Sequence, residues 1–467
     1  MKLRIVLLLI LPVLLLAQAK PDRIPPQLAL THVNIIDVSN INVTGGELRR
    51  DMTVVITGDR ISAIGPSDKL SVPAGANVID ATGQFLIPGL WDMHVHWYRR
   101  DMFTLFTANG VTGVRQMFGN SDLLRWRDQI AKDSLLGPRM VVASPIIDGP
   151  EPIWPNSISV SNEEEGRKAV RRVKQSGADF VKVYSLLPRD AYFGIADEAK
   201  QQGISFAGHV PNPVSAGEAS DAGQKSIEHL TGIMIQCSSK EKELRDKLVK
   251  ADSPASGRGR ISATALETYD DKKAADLFGR FARNQTWQCP TLTVLRSNAF
   301  FDYEKFWRDG RLRYIPKQMQ QRWSLRRDHR SEDAKAGAKK VLQKEFEIVG
   351  AMQKAGVPIL AGTDTGNPFC FPGFSLHEEL ALLVIAGLTP VEALRSATLN
   401  PAKFLGLDKT LGTIEEGKIA DLVLLGANPL EDIRNTQRIK AVVSNGRLFD
   451  RKALDKLLAD AEGAAKR

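Results

Sequence analysis

Two histidines, His94 and His96, stand one residue apart in GLWDMHVHWY, directly after the apolar run QFLIPGLW, in a chain of 467 residues that has only seven histidines. In a strand, successive side chains alternate faces, so positions i and i+2 point the same way. Two imidazoles converging from one strand suit a metal ion, although an HxH pair alone is a weak signal. Three further residues strengthen it. His209 ends ISFAGHV, His229 ends SIEHLTG and Asp364 ends PILAGTDTG, each closing an apolar run with strand character. The remaining histidines, His32, His329 and His377, are expected to be surface or helix-packing residues. His377 opens the helix after the last of these runs and could reach the same region.

A lysine completes the group. In DFVKVYS, Val181 and Val183 would face covering helices, which turns Lys182 and Tyr184 inward. A buried ammonium without a partner is costly, and beside divalent cations it is costlier. Two readings follow. Lys182 pairs with an interior carboxylate, or its amine adds to CO2 and becomes a carbamate, an anionic oxygen ligand able to bridge two metals.

Positioning these residues requires several strands that end at one level. Eight strand candidates can be named: FLIPGLWDMH, GVTGVRQM, RMVVASP, DFVKVYS, ISFAGHV, SIEHLTG, WQCPTLTV and PILAGTDTG. Helical stretches alternate with them, as in SNEEEGRKAVRRVKQSG, where Ser161 or Asn162 can cap and three glutamates sit at the positive end of the helix dipole. This alternation predicts an α/β fold, a (β/α)8 TIM-type barrel, whose active sites lie at the C-terminal ends of the strands. Before it, ALTHVNIIDV, MTVVITGDRISAIG and ANVIDATG read as short strands joined by turns. After it, HEELALLVIAGLTPVEALRSATLNPAKFLG reads as helix, and strand character returns in GTIEEGKIADLVLLG and IKAVVSNGRLF. The expected layout is a leader over 1–19, an N-terminal part of a small β-sandwich over 20–87, the barrel over 88–398, and the C-terminal part of the sandwich with a tail over 399–467.

The first residues look like an export signal. Lys2 and Arg4 precede an apolar run over 5–16, broken by Pro12, and then Ala17-Gln18-Ala19. The run is shorter than the ~20 residues a membrane span needs, so a periplasmic or secreted protein without a stable membrane span is expected, cleaved after Ala19. Cys237, Cys289 and Cys370 are too few and scattered for a disulfide framework. The net charge of +9 is local: segment 305–344 holds 13 basic and 4 acidic residues, and 13 − 4 accounts for all of it. That argues against a nucleic-acid partner and for one local basic feature.

In their order, IPGLWDMHVH, the lysine of FVKVYS, GHV, IEHLTG, AGTDTG, ATLNPAKFLG and LGTIEEGKIADLVLL make the chain resemble the amidohydrolase superfamily of binuclear-metal type. Its imidazolonepropionase-related and Xaa-Pro or Xaa-Arg dipeptidase-like group is the most similar. The resemblance covers nearly the whole mature chain. It implies a metal-dependent hydrolase of C–N bonds acting on a dipeptide, N-acyl amino acid or cyclic amide. His94, His96 and Asp364 would hold the more buried metal, His209 and His229 the more exposed one, and carbamylated Lys182 would bridge them together with a hydroxide. Asp364 would carry the proton from water to the leaving nitrogen. Zinc fits a mixed N and O ligand set without thiolates, and manganese, iron or cobalt could replace it.

Tyr184 stands in the Lys-x-Tyr arrangement of the dipeptidases, either as a group for the substrate carboxylate or the oxyanion, or as a plain barrel-lining residue. Arg115 in GVTGVRQM is expected first to pair with a carboxylate and second to bind a substrate carboxylate. Segment 305–344, with Phe306, Trp307, Tyr314 and Trp323 interleaved, is either a lid favouring an anionic small-molecule substrate or a solvated helix face with its aromatics packed inward. Segment 238–284 is expected to be a helical excursion. An esterase, lactonase or phosphotriesterase would use the same centre, and a non-catalytic metal-holding envelope protein would use its frame. Nothing in the sequence decides whether the protein is a homo-oligomer.

Overall fold

The computed structural model describes residues 27–39, 47–250, 258–325 and 330–467. The leader expected over 1–19 and His329 lie outside the described residues.

Strands from the two chain ends meet in one sheet. Gln27–Asp37, Glu47–Thr57, Arg60–Pro66, Asn77–Asp80 and Phe85–Pro88 join Leu422–Leu425, Ile439–Ser444 and Arg447–Asp450 in a single eight-stranded ladder. Phe85–Pro88 is the seam: it runs parallel to Gln27–Asp37 and antiparallel to Leu422–Leu425, with Ile87 opposite Val423. The sheet buries its own apolar cluster, including Leu30, Ile35, Val54, Ile56, Leu86, Leu422 and Val443. The expected sandwich is thus one continuous ladder path rather than two separate ones. Register shifts in Gln27–Asp37 let it bend, since a bulge adds local twist. The expected tail is a helix, Arg451–Ala465, whose Leu454, Ala461 and Ala464 are buried.

FLIPGLWDMH is divided between two sheets. Phe85–Pro88 belongs to the terminal sheet, and Leu90–Val95 begins a parallel one with Val111–Gln116 and Arg139–Val142. Gly89 is the joint. A β-carbon there would lie 2.2 Å from the Thr112 hydroxyl, so only glycine lets the crossing backbone approach that strand.

A second parallel sheet orders Ile158–Ser159, Ile147–Asp148, Val181–Val183, Phe206–Gly208, Ser226–Glu228 and Trp287–Cys289. The strands therefore do not form the single uninterrupted ring of eight that the alternation predicts. Single parallel bridges link the two sheets, Ala143 with Phe180, Gln288 with Ile359 and Val95 with Thr365. PILAGTDTG makes only the last two of these. Asp364 at φ 58° and Gly366 at φ 109° take its backbone out of strand geometry. WQCPTLTV is strand only to Cys289; Pro290 supplies no N–H to a ladder, and a helix, Leu292–Ala299, follows.

The helices follow their signals. Glu163–Ser176 is capped by Asn162, whose side chain accepts from the Glu165 N–H, and ends at Gly177 in the left-handed region. The long apolar stretch from His377 onward is three helices, Phe374–Ile385, Pro390–Ser396 and Leu399–Leu405, the second opened by a Thr389 and Glu392 capping box. Segment 238–284 contains Glu241–Val249, Arg258–Glu267 and Asp271–Asn284. In segment 305–344 the aromatics turn inward. Phe306, Trp307 and Trp323 pack on Phe369, with Trp307 at 4.9 Å between centroids, and Tyr314 stacks on Phe374 at 5.2 Å. Lys339 and Lys340 are exposed.

Replacing Gly89 with valine should lower stability by about 1–3 kcal/mol, the usual cost of overpacking a buried contact. Thermal unfolding of the purified variant checks this, and an unchanged midpoint would contradict the close approach.

Candidate metal centre

His94 lies within Leu90–Val95, His96 just beyond it, Lys182 in the middle of Val181–Val183, and His209 and His229 immediately after Phe206–Gly208 and Ser226–Glu228. The structure brings them together with Asp364. The Nε2 atoms of His94 and His96 are 3.2 Å apart. Asp364 Oδ1 is 3.5 Å from His94 Nε2 and 3.2 Å from His96 Nε2, and its Oδ2 is 3.9 Å from His229 Nε2. The His229 ring is 4.5 Å from that of His94 and 5.1 Å from that of His209. His94, His229 and Asp364 can offer ligand atoms to one common ion.

Hydrogen bonds on the far sides of two rings set their tautomers. His94 Nδ1 is 2.8 Å from Glu228 Oε2, and both side chains are fully buried. A carboxylate can only accept, so Nδ1 carries the proton and Nε2 presents a bare lone pair. Thr291 donates its hydroxyl proton to the Pro290 carbonyl at 2.7 Å, so it accepts from His229 Nδ1 at 2.6 Å. His229 Nε2 is therefore also bare. Burial, reinforced by His229 and Lys182, holds the His94 imidazolium well below its ordinary pKa, and burial lowers His229 as well. The Nε2 lone pairs of His94 and His229 face the Asp364 carboxylate, an arrangement that repels itself unless a cation occupies the middle. The residues fit a divalent metal on that ground.

Lys182 adds a second unsatisfied group. It is almost fully buried, and among the described residues its Nζ has no hydrogen-bond partner, as Asp364 Oδ1 has none. Burial pulls the ammonium down to about 8, against the raising effect of Glu228 and Asp364. Gly208 makes room for its stem, since a β-carbon there would lie 3.1 Å from Lys182 Cδ and 2.1 Å from the Val183 carbonyl oxygen. Tyr184 is half-buried, stacks on His209 at 4.0 Å between centroids, and lies with its ring 5.9 Å from Lys182 Nζ. Ser185 Oγ is 2.8 Å from His209 Nδ1.

Arg115 is fully buried, and its guanidinium is committed. Nη2 donates to both Glu228 oxygens at 2.9 and 3.0 Å, Nη1 to Ser226 Oγ at 2.9 Å and Nε to the Met93 carbonyl at 2.7 Å. This is the pairing with a carboxylate. The same guanidinium disfavours a cation in the nearby grouping of His94, Glu228 and Cys289. All three cysteines are free and buried. His377 is buried in helix packing, with Nδ1 3.0 Å from Thr436 Oγ1 and Nε2 3.0 Å from the Asn109 carbonyl oxygen. His32 is exposed against Asp51.

Glu228 and Asp92 escaped the sequence analysis. Glu228 shares a face with Ser226 inside an apolar run, the same signal that singled out Lys182, but the adjacent His229 drew attention from it. Asp92, two residues before His94 and fully buried, accepts from Thr363 Oγ1 at 2.6 Å and from the Thr363 and His94 N–H groups at 3.0 and 3.2 Å. It ties the first strand to the segment that carries Asp364, and burial pushes its carboxyl up to about 7.

Residues 291–449 match the model of the Amidohydrolase family. The imidazolonepropionase of Pseudomonas syringae pv. tomato is 25% identical over 409 residues, covering 80% of this chain and 87% of that enzyme. The ochratoxinase of Aspergillus niger is 43% identical over 101 residues, which is 21% of this chain and only 20% of that enzyme. Among solved structures, a putative prolidase from Bifidobacterium longum is 26% identical with a TM-score of 0.67, covering 94% of this chain and all of that one. Over residues 291–449 the chain carries an amidohydrolase family domain, and it is a hydrolase.

Arg115→Met would leave the Glu228 carboxylate buried without its cation, and stability should fall by about 3–5 kcal/mol. Adding Glu228→Gln should recover part of the loss, because the amide carries no charge. Chemical denaturation measures both. A single variant within about 1 kcal/mol of wild type would mean that the pair is not what holds Glu228.

Proposed function

We propose that the protein is a binuclear metal-dependent amidohydrolase that cleaves a C–N bond in a small substrate, a dipeptide, N-acyl amino acid or cyclic amide. The observation that carries this is the pair of unprotonated imidazole nitrogens, on His94 and His229, turned on Asp364 beside a Lys182 that has no partner among the described residues. In this reading His94, His96 and Asp364 would hold one ion and His209 and His229 the other. Lys182, once its free amine had added to CO2 with release of one proton, would supply a carbamate oxygen as a further donor. The donor set of nitrogen and oxygen favours zinc.

When bound, such a pair of ions supplies Lewis acidity, polarising the scissile carbonyl and acidifying water. The protein's own groups do the rest. Asp364 accepts the proton of the attacking water and delivers it to the leaving nitrogen. Glu228 keeps the Nδ1 proton on His94 and so keeps Nε2 available as a ligand. Tyr184, stacked on His209, contacts the carbonyl oxygen or a carboxylate of the substrate. The names of the similar proteins, an imidazolonepropionase and a putative prolidase, support the substrate classes.

The same reading takes the two parallel sheets and their linking bridges as a (β/α)8 barrel over 88–398, flanked by the terminal segments 20–87 and 399–467 as a small β-sandwich. It takes residues 1–19 as a leader for export. Intact mass of the protein recovered from its native envelope or medium should begin at Lys20, and a chain still starting at Met1 would refute export by cleavage.

Metal analysis should find about two equivalents per wild-type chain and clearly fewer in Lys182→Ala. That variant should lose activity on a panel of amides, with partial return on adding a small carboxylate such as formate. Full metal content and undiminished turnover in Lys182→Ala would reject the bridging role, and turnover of esters in preference to amides would reject the C–N assignment.

A further inference from the structure

Segment 149–157 leaves the short strand Ile147–Asp148, which pairs with Val183, and returns at Ile158–Ser159. It is held at both ends. Asp148, fully buried, accepts from the Leu186 N–H at 2.7 Å and from the Ile153 N–H at 3.1 Å. The Ser159 hydroxyl donates to the Gly149 and Pro150 carbonyls at 3.1 and 3.0 Å. Pro150, Pro152 and Pro155 stiffen what lies between by fixing their own φ. A segment built this way carries Trp154 as a rigid arm.

Trp154 is 37% exposed, and its polar end has a protein partner. Its Nε1–H donates to the Tyr184 hydroxyl at 2.9 Å, and Tyr184 in turn stacks on His209. One edge of the indole is thus tied to Tyr184, while more than a third of the residue stays exposed. An aromatic side chain is a large apolar contact with little rotamer freedom to lose, and a tethered one has less still. The neighbouring histidines and Asp364 can engage only the polar, reacting part of a ligand, which leaves the ligand's side chain to find a surface of its own.

We propose that Trp154 is a specificity-determining residue, whose open indole surface receives an aromatic or large apolar side chain next to the scissile bond, and whose N–H sets the position of Tyr184. This rests on the hydrolytic reading of the centre, and it narrows the substrate class to N-acyl or peptidyl compounds of apolar amino acids. Neither composition nor motif spacing marks Trp154. It enters only through the tether.

The test uses metal-loaded full-length protein with N-acetyl-L-phenylalanine and N-acetylglycine as probes, following both hydrolysis and calorimetric binding in wild type, Trp154→Ala and Trp154→Phe. Wild type should favour the phenylalanine probe about tenfold in kcat/KM and in Kd, a size ordinary for an apolar pocket. Trp154→Ala should bring the ratio close to one. Trp154→Phe should keep most of the preference in Kd while lowering kcat for both probes, because Tyr184 has lost its donor. An unchanged ratio in Trp154→Ala with hydrolysis intact overturns the inference and spares the hydrolytic reading. Selective binding that depends on Trp154 without hydrolysis of either probe sustains the inference and sinks that reading. A wild type that neither binds nor hydrolyses either probe overturns the inference.

Discussion

The Nδ1 proton of His94 has Glu228 as its acceptor, and that one hydrogen bond decides what the opposite side of the ring can do. With the proton held there, Nε2 is a lone pair aimed at His96 and Asp364. Glu228 can act this way only as an anion in a dry interior, and a dry interior tolerates an anion only when it is paired and hydrogen-bonded. Arg115 and Ser226 meet that need. Because Arg115 also donates to the Met93 carbonyl, its side chain joins the strands that bear His94, Arg115 and Glu228 through the interior. The ligand geometry and the core are one structure.

Backbone conformation at the strand ends serves the same purpose. His229, Thr291 and Asp364 all have positive φ, between 51° and 58°, a region that residues with a β-carbon seldom occupy. At each the chain leaves the sheet while the side chain turns to the centre: Thr291 accepts from His229, and Asp364 approaches three imidazoles. The strain is tolerated because the neighbours are held. Asp92 binds Thr363 next to Asp364, and Glu379, buried in Phe374–Ile385, accepts from the Leu292 and Thr293 N–H groups just after Thr291. A regular strand would have turned alternate residues inward and left these ligands short of one another.

Much of the site was legible because its signals are local. The HxH pair follows from alternation within one strand, and Lys182 stood out as a charge in an apolar run. The caps at Asn162 and Thr389 are short-range hydrogen bonds that residue types announce. Ile147–Asp148 and Ile158–Ser159 were missed because two residues carry no period. PILAGTDTG read as an unbroken strand because the left-handed turn at Asp364 is imposed by distant partners. The aromatics of segment 305–344 gave no direction on their own, since Phe369 and Phe374, on which they pack, lie far along the chain.

The amino-acid sequence by itself determined which side chains could serve as ligands, the alternation of strand and helix, and the capped ends of the helices, because these depend on residue type and on neighbours within a turn or two. The tertiary structure alone decided that the chain ends share one sheet, that Gly89 divides a continuous apolar run between two sheets, that Arg115 is spent on Glu228, and that Trp154 reaches Tyr184. Each of these is a contact between residues distant in sequence, and such contacts depend on how finished elements pack rather than on any local propensity.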